Sequence, residues 1–208
     1  MRLFIAVDFD ETVRSAIAAA VGLLRDRAEA RSRGSARGVK WVDARNLHLT
    51  LHFIGELEDE RVPGLTRVLA PALGLEDARV GFGGWGVFPP RGPARVIWLG
   101  ITGGTATLTR AHAAIAGRLA GEGLTLESGP WSPHLTVGRV KVPSGQLWSG
   151  LTREAAPQVD CEGAISACTL YRSHLSPSGP TYEALLRIPF AAAAGPAPSV
   201  ASEADRDG

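Results

Sequence analysis

Apolar residues fall along this chain in two rhythms, one of two residues and one of three to four, and their succession lays out the elements. Residues 3–7, Leu-Phe-Ile-Ala-Val, form a short apolar run closed by Asp8 and predict a buried strand. Between Glu11 and Arg31 the apolar positions Val13, Ile17, Ala20 and Leu24 recur at three- and four-residue steps, which is one face of a helix. A basic, glycine-bearing loop follows over 31–38 and reads as a solvated connection, with a phosphate-contacting loop as the alternative. A short strand is predicted over 39–42 and a longer alternating one over 47–55, where Gly55 stops it. Residues 56–60 are acidic, as a first helical turn tends to be, and Pro63 is tolerated near a helix start, so a helix is predicted to about Leu73. Residues 79–88 and 94–101 predict paired strands joined through Phe88-Pro89-Pro90-Arg91-Gly92-Pro93.

The second half repeats this order loosely. It has a helix over 105–121, a short strand over 124–127, an alternating strand over 134–140 and a helix over 146–155. A closing antiparallel pair is predicted over 159–171 and 181–190, joined by a turn-rich loop that carries His174. After Phe190 the composition collapses to Ala, Gly, Pro, Ser and acid, so 191–208 predicts a disordered tail and 1–190 a single domain. Mixed elements with hairpins favour an α+β fold with antiparallel sheets over a doubly wound parallel one.

One pattern occurs twice. His48-Leu49-Thr50-Leu51 returns as His134-Leu135-Thr136-Val137, 86 residues later, each time inside an alternating run. Side chains alternate across a strand, so Leu47, Leu49, Leu51 and Phe53 are assigned to the core face, and His48, Thr50 and His52 to the other. In the second copy Leu135 and Val137 face the core, while His134, Thr136 and Gly138 face out. Two such strands across a groove would offer two imidazoles and two hydroxyls. One histidine can take a proton from a nucleophile while the other gives one to a leaving group, and the hydroxyls can bond phosphate oxygens. No carboxylate stands in either motif to orient a histidine as in a serine-hydrolase triad, and no G-x-S-x-G elbow is present. Acid/base phosphoryl chemistry fits better than covalent catalysis, with metal binding as the rival reading of the histidines. His112 reads as a surface or boundary residue, His52 as a bystander at the rim and Tyr182 as packing.

Composition narrows the picture further. The chain has 208 residues, 45% of them hydrophobic, which suits one domain or two small intimate lobes with a sizeable core. A formal net charge of +1 argues against a broad electrostatic grip on a long duplex, and leaves a nucleic-acid end or small phosphate ligand open. Cys161 and Cys168, in a C-x6-C pattern, do not have zinc-site spacing and read as core residues. On one strand they would stand about 23 Å apart, too far to bond. His48 and His52 have H-x3-H spacing, which serves a metal on a helix; on a strand they lie about 13 Å apart, so no metal or other cofactor is expected. The N-terminal apolar run is short and closed by an acid, which is unlike a signal peptide, and no run approaches a membrane span. The expectation is a cytoplasmic protein with no membrane association and no obligate protein partner.

These residues carry a family resemblance. The sequence resembles the 2H phosphoesterase superfamily, named for its two His-x-Thr-x motifs, and more narrowly the RNA 2′,3′-cyclic phosphodiesterases, also called LigT-like or 2′-5′ RNA ligases. Besides the motifs, the similar stretches are residues 2–7, Trp41-Val42, Asn46-Leu47, Phe53-Ile54-Gly55, the hairpin from Phe88 to Gly100, the block 133–140, Leu170-Tyr171-Arg172-Ser173 and Gly179-Pro180-Thr181-Tyr182. The resemblance covers about residues 2–190. It implies a bilobal, pseudo-duplicated LigT-like fold, two antiparallel sheets with outer helices around a central cleft. It also implies metal-independent opening of an RNA 2′,3′-cyclic phosphate end, or a cyclic nucleotide, to a 2′-phosphomonoester. His48 would be the proton donor to the departing 3′-oxygen and His134 the acceptor that activates water, with Thr50 and Thr136 on the phosphate. The resemblance also puts Arg139 at the phosphate, against simple alternation, so a strand end or a bulge at Gly138 is needed to turn it into the cleft. Phe4 is a candidate contact to a base, with an ordinary core phenylalanine as the favoured reading. A 2′-5′ ligase, a 2′-5′ phosphodiesterase and a non-catalytic RNA or nucleotide module share the same cleft and stay open at this point.

Overall fold

In the computed structural model the described residues are 1–32, 38–124, 126, 129–141, 150, 152, 156–177 and 179–192. The predicted basic loop over 31–38, the strand over 124–127, the helix over 146–155 and the tail lie wholly or largely outside them. Strand β1 (Arg2–Val7) leads into helix α1 (Glu11–Ser32), where the Asp10 carboxylate accepts the Val13 N–H at 2.8 Å and so caps the first turn. Val13, Ile17, Ala20, Leu24 and Ala28 are all buried, as their spacing requires. Each of the larger side chains among them contributes about 1.5–3 kcal/mol by leaving water. Then come β2 (Val39–Trp41), β3 (Leu49–Glu56), α2 (Val62–Leu69), β4 (Ala78–Phe88), β5 (Val96–Ile101) and α3 (Thr105–Gly121). The chain closes with β6 (His134–Val140), β7 (Glu162–Ile165), β8 (Ala167–Ser176) and β9 (Gly179–Pro189).

The fold is α+β, and its strand pairs are antiparallel. The strand order is β7-β4-β5-β6-β3-β1-β8-β9, with β2 added to β6. At the middle of this path β3 and β6 share a single pair, Leu49 with Leu135. That one bridge joins two antiparallel portions of a single nine-stranded sheet, a first sheet and a second. The first holds β3, β1, β8 and β9; the second holds β6, β5, β4, β7 and β2. The two motif strands therefore lie side by side where the two portions meet. Helix α3 packs on β3 through a face of Leu108, Ala111, Ile115 and Leu119.

Two predicted elements are corrected. The stretch 159–171 is not one strand. It breaks at Ser166, whose carbonyl accepts the Phe190 N–H, so that β7 pairs with β4 in the second sheet and β8 with β1 in the first. The loop that was to carry His174 is also shorter than expected. His174 lies in β8, where its Nε2 meets the Glu183 carboxylate at 2.8 Å on the exposed side of the hairpin. Neither cysteine is bonded; Cys168 is buried, which pushes its thiol up to about 12, and Cys161 is partly buried against the core. No helix among the described residues is long and apolar enough to cross a membrane.

Candidate active site

The Leu49–Leu135 bridge fixes the register of the site. On antiparallel strands the residue before one partner lies beside the residue after the other. His48 is thus set alongside Thr136, and Thr50 alongside His134, all four on the face opposite the paired leucines. Leu49 and Leu135 are fully buried, while the four polar residues are partly exposed.

Both histidines are held in the same way. His48 Nδ1 meets the Asn46 carbonyl at 2.7 Å, and His134 Nδ1 meets the Ser132 carbonyl at 2.9 Å. A carbonyl only accepts, so Nδ1 carries the proton in each ring and Nε2 is left to give or take one. Their surroundings differ. Phe4 lies 5.0 Å from the His48 ring, and Tyr182 stands edge-on to it at 5.3 Å. Burial pushes His48 below the ordinary histidine value. The Arg139 charge adds to this, and the Asn46 carbonyl and the Asp8 charge oppose it. His134 has Phe88 edge-on at 5.1 Å and Trp98 at 6.2 Å.

Both motif strands also carry the same irregularity. Along β1, Ala6 pairs with Thr50 and Ile5 with His52, which leaves Leu51 as an extra residue. Along β5, Trp98 pairs with Thr136 and Ile97 with Gly138, which leaves Val137 as the extra residue. Each bulge follows its threonine directly and reverses the alternation beyond it. Arg139 is thereby carried to the face of Thr136, paired with Lys40 on one side and Val96 on the other. The bulge expected at Gly138 lies one residue earlier and has the expected result. In β3 the reversal overturns two assignments. Phe53 is 46% exposed instead of in the core, on the face of Phe4 with 6.4 Å between the rings. His52 is buried on the core side instead of standing at the rim beside His48.

Phe4 lies in the core, the favoured of its two readings. It is 4% exposed, stacked on Tyr171 at 5.3 Å and edge-on to Tyr182 at 4.9 Å, so its ring supports His48 and has no free face for a base. Sequence reasoning passed over Phe53 and Tyr182. Arg139 held the signal for Phe53, because both residues stand five places after a motif histidine and a bulge that turns one implies its counterpart. Tyr182 is brought in through Asn46, whose side-chain amide donates to the Pro180 carbonyl at 3.0 Å while its own carbonyl holds His48. Among the described residues no group of three or more His, Cys, Asp or Glu side chains could hold a metal, and His48 and His52 point to opposite faces.

Comparison with known proteins gives the family and the fold. Residues 13–176 match the model of the 2′-5′ RNA ligase superfamily. The chain belongs to that superfamily. A Thermotoga maritima protein named RNA 2′,3′-cyclic phosphodiesterase is 30% identical over 192 residues, covering 91% of this chain and 96% of its own. An Archaeoglobus fulgidus protein of the same name is 31% identical over 185 residues, 89% and 98% of the two chains. Among solved structures, TT0787 of Thermus thermophilus aligns with a TM-score of 0.64 at 30% identity, over 91% of this chain and 98% of that one. The apo form of E. coli LigT aligns with a TM-score of 0.67 over 90% and 96%; at 24% identity it speaks for the fold alone. The α+β fold of this chain, with its curled antiparallel sheet, is thus LigT-like.

Proposed function

We propose that this chain is an RNA 2′,3′-cyclic phosphodiesterase that opens the cyclic end to a 2′-phosphomonoester by metal-independent, two-histidine acid/base catalysis. The observation that carries the reading is the matched pair of imidazoles. Each is oriented through Nδ1 by a carbonyl two residues upstream, and each stands beside the other motif's threonine. The relatives named for this activity support it over most of the chain.

In this reading water attacks phosphorus and gives its proton to His134 Nε2, while the bond from phosphorus to O3′ breaks and O3′ takes a proton from His48 Nε2. Thr50 and Thr136 donate hydroxyl hydrogens to the non-bridging oxygens, and Arg139 balances their charge. Burial, with the Arg139 charge, disfavours the protonated form of His48. The anionic phosphate restores it on arrival, since an adjacent opposite charge favours the charged form. Phe53 offers the exposed ring on which the terminal base stacks, and Phe4 backs His48.

The superfamily's name favours a second use of the same site. A 5′-hydroxyl in place of the water would give a 2′-5′ phosphodiester with the same bond broken and the same two proton transfers. Product analysis tests both. An oligonucleotide with a 2′,3′-cyclic end is expected to yield a 2′-phosphate, at a rate that EDTA leaves unchanged. A 3′-phosphate would mean that the other bond breaks and the acid is misassigned; loss with EDTA and recovery with zinc would overturn metal independence. Adding a 5′-hydroxyl oligonucleotide shows whether a 2′-5′ linkage also forms.

A further inference from the structure

Behind β3, on the side away from the cleft, three rings from three parts of the chain form one stack. His52 of β3 and His112 of α3 lie 4.0 Å apart at 20°, and His112 and Trp131 lie 4.5 Å apart at 19°. His52 is 7% exposed, and its Nε2–H donates to the backbone carbonyl of His112 at 2.8 Å. Trp131, at the other end, donates its Nε1–H to the backbone carbonyl of Thr50 at 3.4 Å. The stack is thus tied by hydrogen bonds to α3 at one end and to the first motif strand at the other.

Trp131 also begins the four residues that deliver the second histidine. Ser132 follows it and supplies the carbonyl that orients His134 Nδ1 at 2.9 Å. Between β3 and β6 themselves the ladder is one residue pair. So short a ladder leaves the spacing of the two motif strands to other contacts, and the Trp131 ring is one that touches the first motif strand directly. Core packing by itself calls for apolar bulk at such a place. Two imidazoles, one of them buried and hydrogen-bonded across elements, are what a fixed ring geometry needs.

We propose that Trp131 and His112 are positioning residues, which hold segment 131–134 against β3 and so set His134 in line with Thr50 and His48. The proposal rests on the two-histidine reading. Neither residue touches the substrate; both act through the backbone that carries His134. A displacement of about 1 Å at a catalytic group can lower turnover by about a hundredfold.

The test compares His112→Ala and Trp131→Ala with His112→Phe and Trp131→Phe, on an oligonucleotide with a 2′,3′-cyclic phosphate end. Both alanine variants are expected to lose about ten- to a hundredfold in kcat with KM within about threefold, because the groups that bind phosphate and base stay in place. The phenylalanine variants keep a stacking ring and are expected to recover most of kcat. A kcat within twofold of the parent in both alanine variants would overturn the proposal, and so would phenylalanine variants as slow as the alanine ones or a loss confined to KM. Where an alanine variant fails to fold, Trp131→Leu decides, since it keeps bulk without a planar ring; slow turnover supports the stack and parental turnover overturns it. His134→Ala is measured alongside. If it stays active, the two-histidine reading itself falls; if it is inactive beside normal His112→Ala and Trp131→Ala, the stack's role alone falls.

Discussion

β3 and β6 use one backbone design for two tasks. In each strand a carbonyl two residues upstream turns the histidine, the threonine follows on the same face, and a bulge right after the threonine reverses the alternation. The residues delivered by the reversal are different. Four places after the histidine stand His52, packed on α3, and Gly138, whose added Cβ would lie 3.0 Å from Val39 and 3.1 Å from Trp41. The glycine lets β2 close on β6, as the histidine lets α3 close on β3. Five places after stand Phe53 and Arg139, a ring and a cation on the cleft face. In the proposed function the repeated part supplies the acid/base geometry, and the unrepeated residues beyond the bulge separate a base side from a phosphate side.

This comparison can be broken most directly at the histidines. His48→Ala and His134→Ala are each expected to lower kcat about 10²–10⁴-fold, the usual worth of a general acid or base, with circular dichroism unchanged. Parental turnover in one of them would end the idea of matched halves. The next largest difference is expected between the two residues beyond the bulges. Arg139→Ala should lower kcat/KM about tenfold or more for every cyclic end, whatever its base. Phe53→Ala should act mainly on KM and by an amount that depends on the base, about 1–3 kcal/mol for a stacked one. Equal, base-independent losses in both variants would erase the proposed division.

The smallest expected effect concerns the outer side of β3. Burial holds His52 below the ordinary histidine value and His112 at about 4, with the His52 charge adding to the depression of His112. Both are therefore neutral in the fold at a pH where the unfolded chain has begun to bind protons. A group of this kind stabilises the fold above about 6.5 and loses that contribution as pH falls towards the folded value. The melting temperature is expected to drop as pH goes from about 6.5 to 4, and to drop less in His112→Phe. An identical slope in that variant would show that the acid sensitivity arises elsewhere, for instance at His48.

Much of this was legible from residue types and spacing. The helix over Thr105–Gly121 and the strand over His134–Val140 have the bounds their periodicity gives, and the two H-x-T pairs share one face as alternation requires. The bulges were legible only in part. The resemblance put Arg139 in the cleft against its core parity, and that conflict announced the irregularity in β6. A phenylalanine on core parity is no conflict at all, so the same irregularity in β3 passed unmarked, and Phe53 and His52 were assigned to each other's faces. The break at Ser166 left no mark either, because an alternating run reads the same whichever sheet its halves join. The burial of Phe4 was hidden for a third reason. It depends on Tyr171 and Tyr182, which come from the far end of the chain.

The strand order also has a consequence for synthesis. The second sheet draws most of its strands from the middle of the chain, β4 to β7 within residues 78–165. The first sheet waits, because β1 finds its outer neighbour β8 only when Leu3 can meet Arg172. On a ribosome, where elements fold as they emerge, the half that bears His134 can form while His48 still stands on an unfinished sheet. Its wall is completed by Tyr182, so His48 acquires its setting among the last steps of assembly, and a chain cut before β8 would keep both motif histidines with only one of them in its finished surroundings.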